Sequence, residues 1–262
     1  MGPGPARDPA RPPPLLATEG LSLSIGGAAI VEEVSLSVAE GELVALIGPN
    51  GAGKSSLLNL VSGLLRPTRG QVWLGGNDIT ARAPHQRARA GLGRTFQTSS
   101  LFPALGVHEN VRLAAEAGLG GALRIWRPAA RVTGAGAEAD RTLDLVGLAH
   151  RRRVAAGSLS HGEKRQLELA VVLAGRPRVV LLDEPLAGMS VEEVPRLVGV
   201  IGSIPASTGA AVLMVEHHLE VVLDLAERVA VMHHGELLAE GTPDQVISDP
   251  AVQDAYLGAA TL

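Results

Sequence analysis

The sequence has no cysteine, few aromatic residues and no long apolar run. Without cysteine the chain can form neither a disulfide framework nor a thiolate zinc site, and cysteine catalysis is excluded. No apolar segment approaches the roughly 18 residues that would span a bilayer. Hydrophobic residues nevertheless make up 46% of the 262 residues, so the chain can bury a core the size of one domain with an inserted lobe.

Neither sign of charge dominates the sequence. It has 23 basic and 27 acidic residues, for a formal net charge of -4. This balance gives no indication of a nucleic-acid surface. The first residues contain prolines and arginines but no apolar segment, so they do not form a secretory signal. We therefore expect contact with a membrane only through a partner.

The composition divides the chain into a tail, a domain and a lobe. Proline is concentrated in residues 1–14, which predicts a disordered tail because proline fixes φ and removes a donor. One domain is expected to follow this tail, with a short C-terminal tail over residues 259–262. Alanine, glycine and leucine dominate residues 98–158, which predicts an inserted helical lobe with a loop near Trp126.

Short apolar segments alternate with helical patterns along the domain, which predicts an α/β fold with a mostly parallel core sheet. The alternating residues Val34–Val38 predict a half-buried strand, and residues 233–236 a hairpin turn. The remaining predicted strands are residues 15–18, 21–25, 42–47, 179–182, 210–215 and 228–232.

The segment Gly48–Ser55 fits the pattern G-x-x-x-x-G-K-[ST] without deviation, and it lies between a predicted strand and a helix over residues 55–65. Glycines let backbone amides surround a phosphate, and the helix start adds a partial positive charge. Lys54 would reach the β- and γ-phosphates, and the Ser55 hydroxyl would bind Mg²⁺. The predicted nucleotide contacts here are Gly48, Pro49, Asn50, Gly51, Ala52, Gly53, Lys54, Ser55 and Ser56.

Two carboxylates follow a buried strand at Asp183 and Glu184. Ligands bind at the carboxyl ends of parallel strands, so Asp183 is expected to hold Mg²⁺ through water and Glu184 to polarise an attacking water. Elsewhere, Ser160 and Glu163 have the spacing of a capping box, at the start of a helix expected to run to about Ala174. That helix start is either only a well-capped terminus or a γ-phosphate site with Ser160 and Gly162 as donors.

Together these segments resemble the ATP-binding subunits of ABC transporters over roughly residues 15–258. Residues 48–55 resemble the Walker A segment, residues 179–184 Walker B, and residues 159–166 the LSGGQ signature with His161 in place of a glycine. The resemblance implies a P-loop NTPase of the ABC ATPase type, with an antiparallel β subdomain and an inserted helical lobe.

Three further matches follow the family's order. Gln97 resembles the Q-loop glutamine, His217 the switch histidine and residues 186–189 the D-loop. The resemblance implies that Glu184, His217 and Gln97 are catalytic, and that Ser55, Gln97 and Asp183 hold Mg²⁺. ATP would lie between the phosphate loop of one subunit and the signature residues Ser160 and Gly162 of another.

The resemblance also implies partners. A second ATPase subunit, identical or paralogous, and two transmembrane permease subunits would assemble with the chain, an extracytoplasmic solute-binding protein would act indirectly, and no nucleic acid would bind. The chain would then lie at the cytoplasmic face of the inner membrane. Residues 101–103 and 107–111 would receive a permease coupling helix, with Phe102 either docking it or simply buried.

Several details resemble the ATPases of branched-chain amino acid and urea/amide importers: Arg94–Gln97, Ala187–Met189, the long lobe and the tail over residues 241–258. We therefore expect the chain to be the ATP-hydrolysing subunit of a branched-chain amino acid importer. The alternatives are a urea/amide importer and a lipopolysaccharide-export ATPase, which has a similar tail but a shorter lobe.

Three positions depart from the family pattern. Ile25 stands where an aromatic residue usually stacks on adenine, Ser190 replaces an acid or asparagine after the D-loop, and His218 replaces an aspartate. We expect His218 to be a surface histidine without a role, as for His85 and His150, and we assign no metal site to His233 and His234.

Three other functions are compatible with part of the pattern. An ABC ATPase of DNA repair or translation would have fused domains or long coiled coils, which this chain lacks. A P-loop kinase would leave residues 159–166 and His217 unexplained. A regulatory module that binds ATP without hydrolysis would not need Glu184.

Overall fold

The structure is a computed structural model that describes residues 14–95, 101–118 and 134–259. The strands are β1 (Pro14–Ile25), β2 (Ala28–Val34), β3 (Ser37–Ala39), β4 (Leu43–Ile47), β5 (Arg69–Leu74), β6 (Asn77–Asp78), β7 (Leu92–Arg94), β8 (Val179–Asp183), β9 (Ala211–Val215), β10 (Arg228–His233) and β11 (Glu236–Gly241). The α-helices are α1 (Lys54–Ser62), α2 (Pro84–Arg89), α3 (Val107–Gly118), α4 (Ala135–Leu145), α5 (His161–Ala174), α6 (Val194–Thr208), α7 (Leu219–Leu225), α8 (Pro243–Ile247) and α9 (Pro250–Ala259). None of these helices is long and apolar enough to cross a membrane.

The core sheet has the order β11-β10-β4-β9-β8-β7, and its strands are parallel except for the edge strand β11, which forms a hairpin with β10. Strands β4, β8 and β9 are buried along their whole length, because packed elements cover both faces of the sheet. The predicted parallel core is therefore confirmed. Its strands β4, β8 and β9 carry the candidate functional residues at their carboxyl ends.

A second, antiparallel sheet has the order β2-β1-β5-β6, with β3 paired to β1. Helix α1 contributes to the apolar core shared by the two sheets, where Leu57, Leu58 and Val61 are fully buried. Burial of each such side chain contributes about 1.5–3 kcal/mol, which fixes the helix start at Lys54 against the sheet. The helix ends at Ser62, three residues before the predicted end, since Gly63 caps it with a φ of 81°.

Helices α3, α4 and α5 pack against one another and form one side of the second apolar core. The Asn110 side chain accepts a hydrogen bond from the Phe102 amide at 2.8 Å and donates one to the Gly106 carbonyl at 3.0 Å, which ties residues 102–106 to α3. These helices agree with a helical lobe, while its boundaries stay predictions. The loop predicted near Trp126 lies outside the described residues.

Both predicted tails lose a residue to regular structure. Pro14 belongs to β1 and pairs with Ala39, because proline is tolerated at the first position of a strand. The predicted disordered tail, residues 1–14, therefore extends one residue too far, because Pro14 is part of a strand. Residues 1–13 lie outside the described residues. At the other end Ala259 completes α9, so this helix extends into the predicted C-terminal tail.

Two strand predictions were wrong in their extent. Residues 15–18 and 21–25 form one strand, since Gly20 adopts a φ of 52° and the pairing register shifts there without ending the strand. The alternation over Val34–Val38 spans two strands instead of one. The Thr18 hydroxyl donates to the Val34 carbonyl and accepts from the Leu36 amide, and these bonds replace ladder pairing where β2 gives way to β3.

Candidate functional site

The phosphate loop connects β4 to α1 in a conformation that requires glycine. Gly48, Gly51 and Gly53 have φ values of 147°, 81° and 98°. A Cβ at residue 48 would lie 2.1 Å from the Met232 carbonyl oxygen, and a Cβ at residue 53 would lie 2.6 Å from that of Ile30. Side chains at these two positions would force the loop away from the sheet. The predicted strand–loop–helix context is therefore present.

The Lys54 side chain is buried inside this loop. Its Nζ donates hydrogen bonds to the carbonyl oxygens of Gly48 and Pro49, at 2.6 and 2.9 Å. Burial lowers the pKa of Lys54, and the nearby carboxylates of Glu184 and Asp183 offset part of that effect. Within the described residues, the hydrogen-bond partners of the buried ammonium are neutral carbonyls, so it can bind an anionic ligand. The carboxylates nearby could in turn bind a cation that accompanies this ligand.

Asp183 ends β8 beside the start of α1. The Ser55 hydroxyl lies 3.4 Å from one oxygen of the Asp183 carboxylate, and the Arg94 guanidinium lies 3.0 Å from the other. Both ion-pair partners are buried, with side-chain exposures of 8% and 4%. A hydroxyl and a carboxylate oxygen are the ligands that Mg²⁺ prefers. Because Arg94 engages one Asp183 oxygen, the other is the one directed toward Ser55.

Glu184 follows Asp183 in a left-handed conformation, with a φ of 47°. Non-glycine residues rarely adopt this region, and such conformations persist where surrounding contacts hold them. Here the Glu184 amide donates to the Val215 carbonyl at 3.0 Å, which fixes the turn at the end of β9. The turn directs the chain away from β8 immediately after the second carboxylate.

Glu216 is a fully buried carboxylate that the sequence analysis did not single out. It accepts hydrogen bonds from the amides of Leu186 and His217, at 3.1 and 3.0 Å, and from the His218 ring at 3.0 Å. It therefore joins the segment after Glu184 to the loop of the two histidines. His218 lies at the surface, as expected, and its ring is a partner of Glu216; that it has no functional role stays a prediction. A charged residue directly after an all-apolar strand was the available signal.

The segment at the start of α5 is an N-terminal capping box, as predicted. The Ser160 hydroxyl accepts from the Glu163 amide at 3.2 Å, and the Glu163 carboxylate accepts from the Ser160 amide at 3.0 Å. The Ser160 hydroxyl and the Gly162 amide both donate to Glu193, which precedes α6. The same donors that were predicted for a phosphate thus hold a carboxylate.

The other predicted residues are distributed as follows. Ile25 lies at the end of β1 with 56% of its surface exposed, and Phe102 is 57% exposed, so the buried alternative for Phe102 is excluded. His217 is exposed at the end of β9. Gln97 lies outside the described residues.

Helix α9 returns the C-terminal segment to the phosphate loop. Burial raises the pKa of Tyr256 to about 12, and the backbone of Gly48 partly offsets this shift. Tyr256 also packs against the core formed with the helical lobe. The last helix therefore contacts the residue at which the phosphate loop begins.

Two protein-family models match this chain. The ABC transporter family model matches residues 31–187, and a C-terminal model named for branched-chain amino acid ATP-binding cassette transporters matches residues 236–261. The high-affinity branched-chain amino acid transport ATP-binding protein BraF of Pseudomonas aeruginosa is 36% identical over 94% of this chain and 99% of its own length. The chain belongs to the ABC transporter ATP-binding family. ATP hydrolysis coupled to transport is the activity of this family.

Other relatives of this ABC ATPase are named for two different transport systems, amino acid transport and lipopolysaccharide export. LivG of Escherichia coli, also named for branched-chain amino acid transport, is 35% identical over 94% of the chain and 99% of LivG. The lipopolysaccharide export protein LptB of Acidithiobacillus ferridurans is 37% identical over 93% of the chain and 97% of LptB. Overall identity therefore does not separate the import relatives from the export relative.

Solved structures agree with the family and the fold. The ADP conformation of MJ1267, an ATP-binding cassette of an ABC transporter, superposes with a TM-score of 0.83 at 31% identity, covering 94% of this chain and all of MJ1267. A nucleotide-free cassette superposes with a TM-score of 0.81 at 30% identity, covering 93% of this chain and 98% of the cassette. The α/β architecture with two sheets and a helical lobe is thus the architecture of ABC cassettes.

Proposed function

We propose that the chain is the ATP-hydrolysing subunit of an importer of branched-chain amino acids. The supporting observation is the similarity to BraF and LivG over 94% of the chain, together with the C-terminal match over residues 236–261. BraF, LivG and the C-terminal model are all named for branched-chain amino acid transport, while the LptB similarity keeps lipopolysaccharide export as the second candidate.

The residues present fit a magnesium nucleotide. The glycine conformations of residues 48–53 leave space for close backbone approach, and Lys54 is a buried cation whose described partners are neutral carbonyls. Ser55 and Asp183 supply hard oxygen ligands within 3.4 Å of each other. Asp183 would hold the ion through a water with the oxygen that faces Ser55, while Arg94 binds the other oxygen. Bound Mg²⁺ would neutralise part of the phosphate charge.

The chemistry of this chain's own residues follows from their positions. Lys54 would bind the β- and γ-phosphates, while Asn50, Ala52 and Ser56 line the loop and helix start around them. The Glu184 carboxylate would accept the proton of a water held in line with the γ-phosphate. His217 would contact that phosphate, and Gln97 would join the metal and the water to the lobe. Ser160 and Gly162 would complete the site of a second subunit.

The exposed residue Phe102 supports a docking partner for the lobe. It lies beside the exposed Leu105 on the loop that Asn110 holds against α3, and neighbouring exposed apolar side chains of this kind are typical of an interface. We assign this surface to a permease subunit. With two permeases and a second ATPase subunit, the chain would be held at the cytoplasmic face of the inner membrane.

Transport assays test the proposed substrate. Cells that carry Glu184→Gln should lose uptake of labelled leucine, because the substituted amide cannot accept the proton of the water. Uptake of labelled urea should stay unchanged, and the neighbouring exposed acid substituted as Glu192→Gln is the control. Loss of urea uptake alone would assign the chain to a urea importer. Unchanged uptake of both, after parallel systems are deleted, would contradict import of these solutes and favour lipid export.

The exposed Ile25 gives a prediction for nucleotide affinity. We expect Ile25→Tyr to lower the Kd for ATP at least about fivefold, since stacking of a base on an aromatic ring is worth roughly 1–3 kcal/mol. Equilibrium fluorescence titration with ATP measures this change. Ile25→Leu keeps the volume without a ring and should leave the Kd unchanged. Equal affinities of the tyrosine and isoleucine chains would show that residue 25 does not contact the base.

A further inference from the structure

Glu193 holds the donors of the signature segment. One carboxylate oxygen accepts from the Ser160 hydroxyl at 3.0 Å and from the Gly162 amide at 3.1 Å. The second oxygen accepts from the Ser190 hydroxyl and amide, at 3.2 and 3.4 Å. The first oxygen therefore crosses to α5, while the second serves the local turn before α6.

Glu193 lies so close to the start of α5 that residue 162 has to be a glycine for this contact to form. A Cβ at residue 162 would lie 2.6 Å from the Glu193 carboxyl carbon. The hydrogen bond from Ser160 makes the largest contribution to a lowered pKa of Glu193, so the group is a carboxylate at neutral pH. The start of an α-helix favours an anion at this point. Glu193 thus supplies the anion that these donors and this helix terminus favour.

We propose that Glu193 is an internal competitor for the γ-phosphate at the signature segment. The inference depends on the proposed function, in which Ser160 and Gly162 bind the nucleotide of a second subunit. A carboxylate oxygen and a phosphate oxygen are both anionic acceptors, so they cannot accept from the same two donors at once. Before two subunits close on ATP, Glu193 must release Ser160 and Gly162.

Release of Glu193 also acts on the D-loop. Ser190 bonds to the same carboxylate, and the His161 ring lies 3.4 Å from the Ala187 carbonyl. Arrival of a γ-phosphate at Ser160 would therefore free residues 190–193 from the signature segment, and the contact of His161 with Ala187 would remain. A pair of identical subunits contains two such sites, so a substitution of Glu193 changes the free energy of pairing at both of them.

The test measures ATP-driven pairing of the full-length chain by sedimentation, in a Glu184→Gln background that prevents hydrolysis. We expect Glu193→Gln and Glu193→Ala to lower the ATP concentration for half-maximal pairing by about threefold to tenfold. Glu192→Gln removes the same charge from a neighbouring exposed position and should change nothing. Ser190→Ala removes the hydroxyl that bonds to the second oxygen of Glu193, but it keeps the contact between Glu193 and Ser160. This substitution should also leave pairing unchanged.

The outcomes separate this proposal from the proposed function. Unchanged or weaker pairing of Glu193→Gln would overturn the competitor role. An equal effect of Ser190→Ala would also overturn it, because loss of the local turn before α6 would then explain the result. Ser160→Arg should abolish pairing, and if it does not, the signature segment is not a phosphate site and the ATP sandwich itself fails.

Discussion

Glu184→Gln is expected to reduce steady-state ATP hydrolysis by at least about 100-fold, the lower part of the range for removal of a general base. Glutamine has the same shape as glutamate but cannot accept the proton of the attacking water. ATP binding should be retained, since Lys54 and the glycine loop are unaffected. The steady-state rate of phosphate release and a separate ATP titration measure the two effects.

The local geometry makes this substitution a clean one. Glu184 has a φ of 47° and its amide bonds to Val215, so glutamine can keep the backbone turn that a β-branched residue could not. Glu192→Gln is the matched control and should hydrolyse ATP at the original rate. If Glu184→Gln retained more than half of the original rate, another group would have to activate the water.

The sequence predicted the features that local patterns determine. Strands β4 and β8 were predicted correctly because each is a continuous apolar run, which is typical of a strand buried on both faces. The phosphate loop was predicted because its glycines and lysine follow one another along the chain. The capping box of Ser160 was predicted for the same reason, since both its residues lie within one helical turn.

The features that were missed depend on contacts between distant segments. Arg94 pairs with Asp183, and Glu193 reaches Ser160, although neither pair is close in sequence. No periodicity records which carboxylate faces which cation after folding. The division of Val34–Val38 between two strands has a similar origin, because the side chain of Thr18 on a neighbouring strand bonds to both sides of the break.

The buried pair of Arg94 and Asp183 gives the largest expected effect on stability. Arg94→Ala would leave the Asp183 carboxylate buried without its ion-pair partner, and breaking such a pair typically costs about 3–5 kcal/mol. The hydrogen bonds of Arg94 to Asn59 and to Ser62, at 2.8 and 2.7 Å, would be lost as well. Urea unfolding of the purified chain measures the change in the free energy of unfolding. Arg196→Ala, at an exposed position, should change it by less than about 0.5 kcal/mol.

A double-mutant cycle assigns the loss to the pair itself. Asp183→Asn removes the buried negative charge, so adding Arg94→Ala to it should cost less than Arg94→Ala alone in the original chain. A difference of roughly 1 kcal/mol or more would show that Arg94 stabilises the fold through Asp183. Additive losses would instead assign the effect to Asn59 and Ser62. In the first case strand β7 positions a predicted metal-binding carboxylate through the direct contact of Arg94 with Asp183.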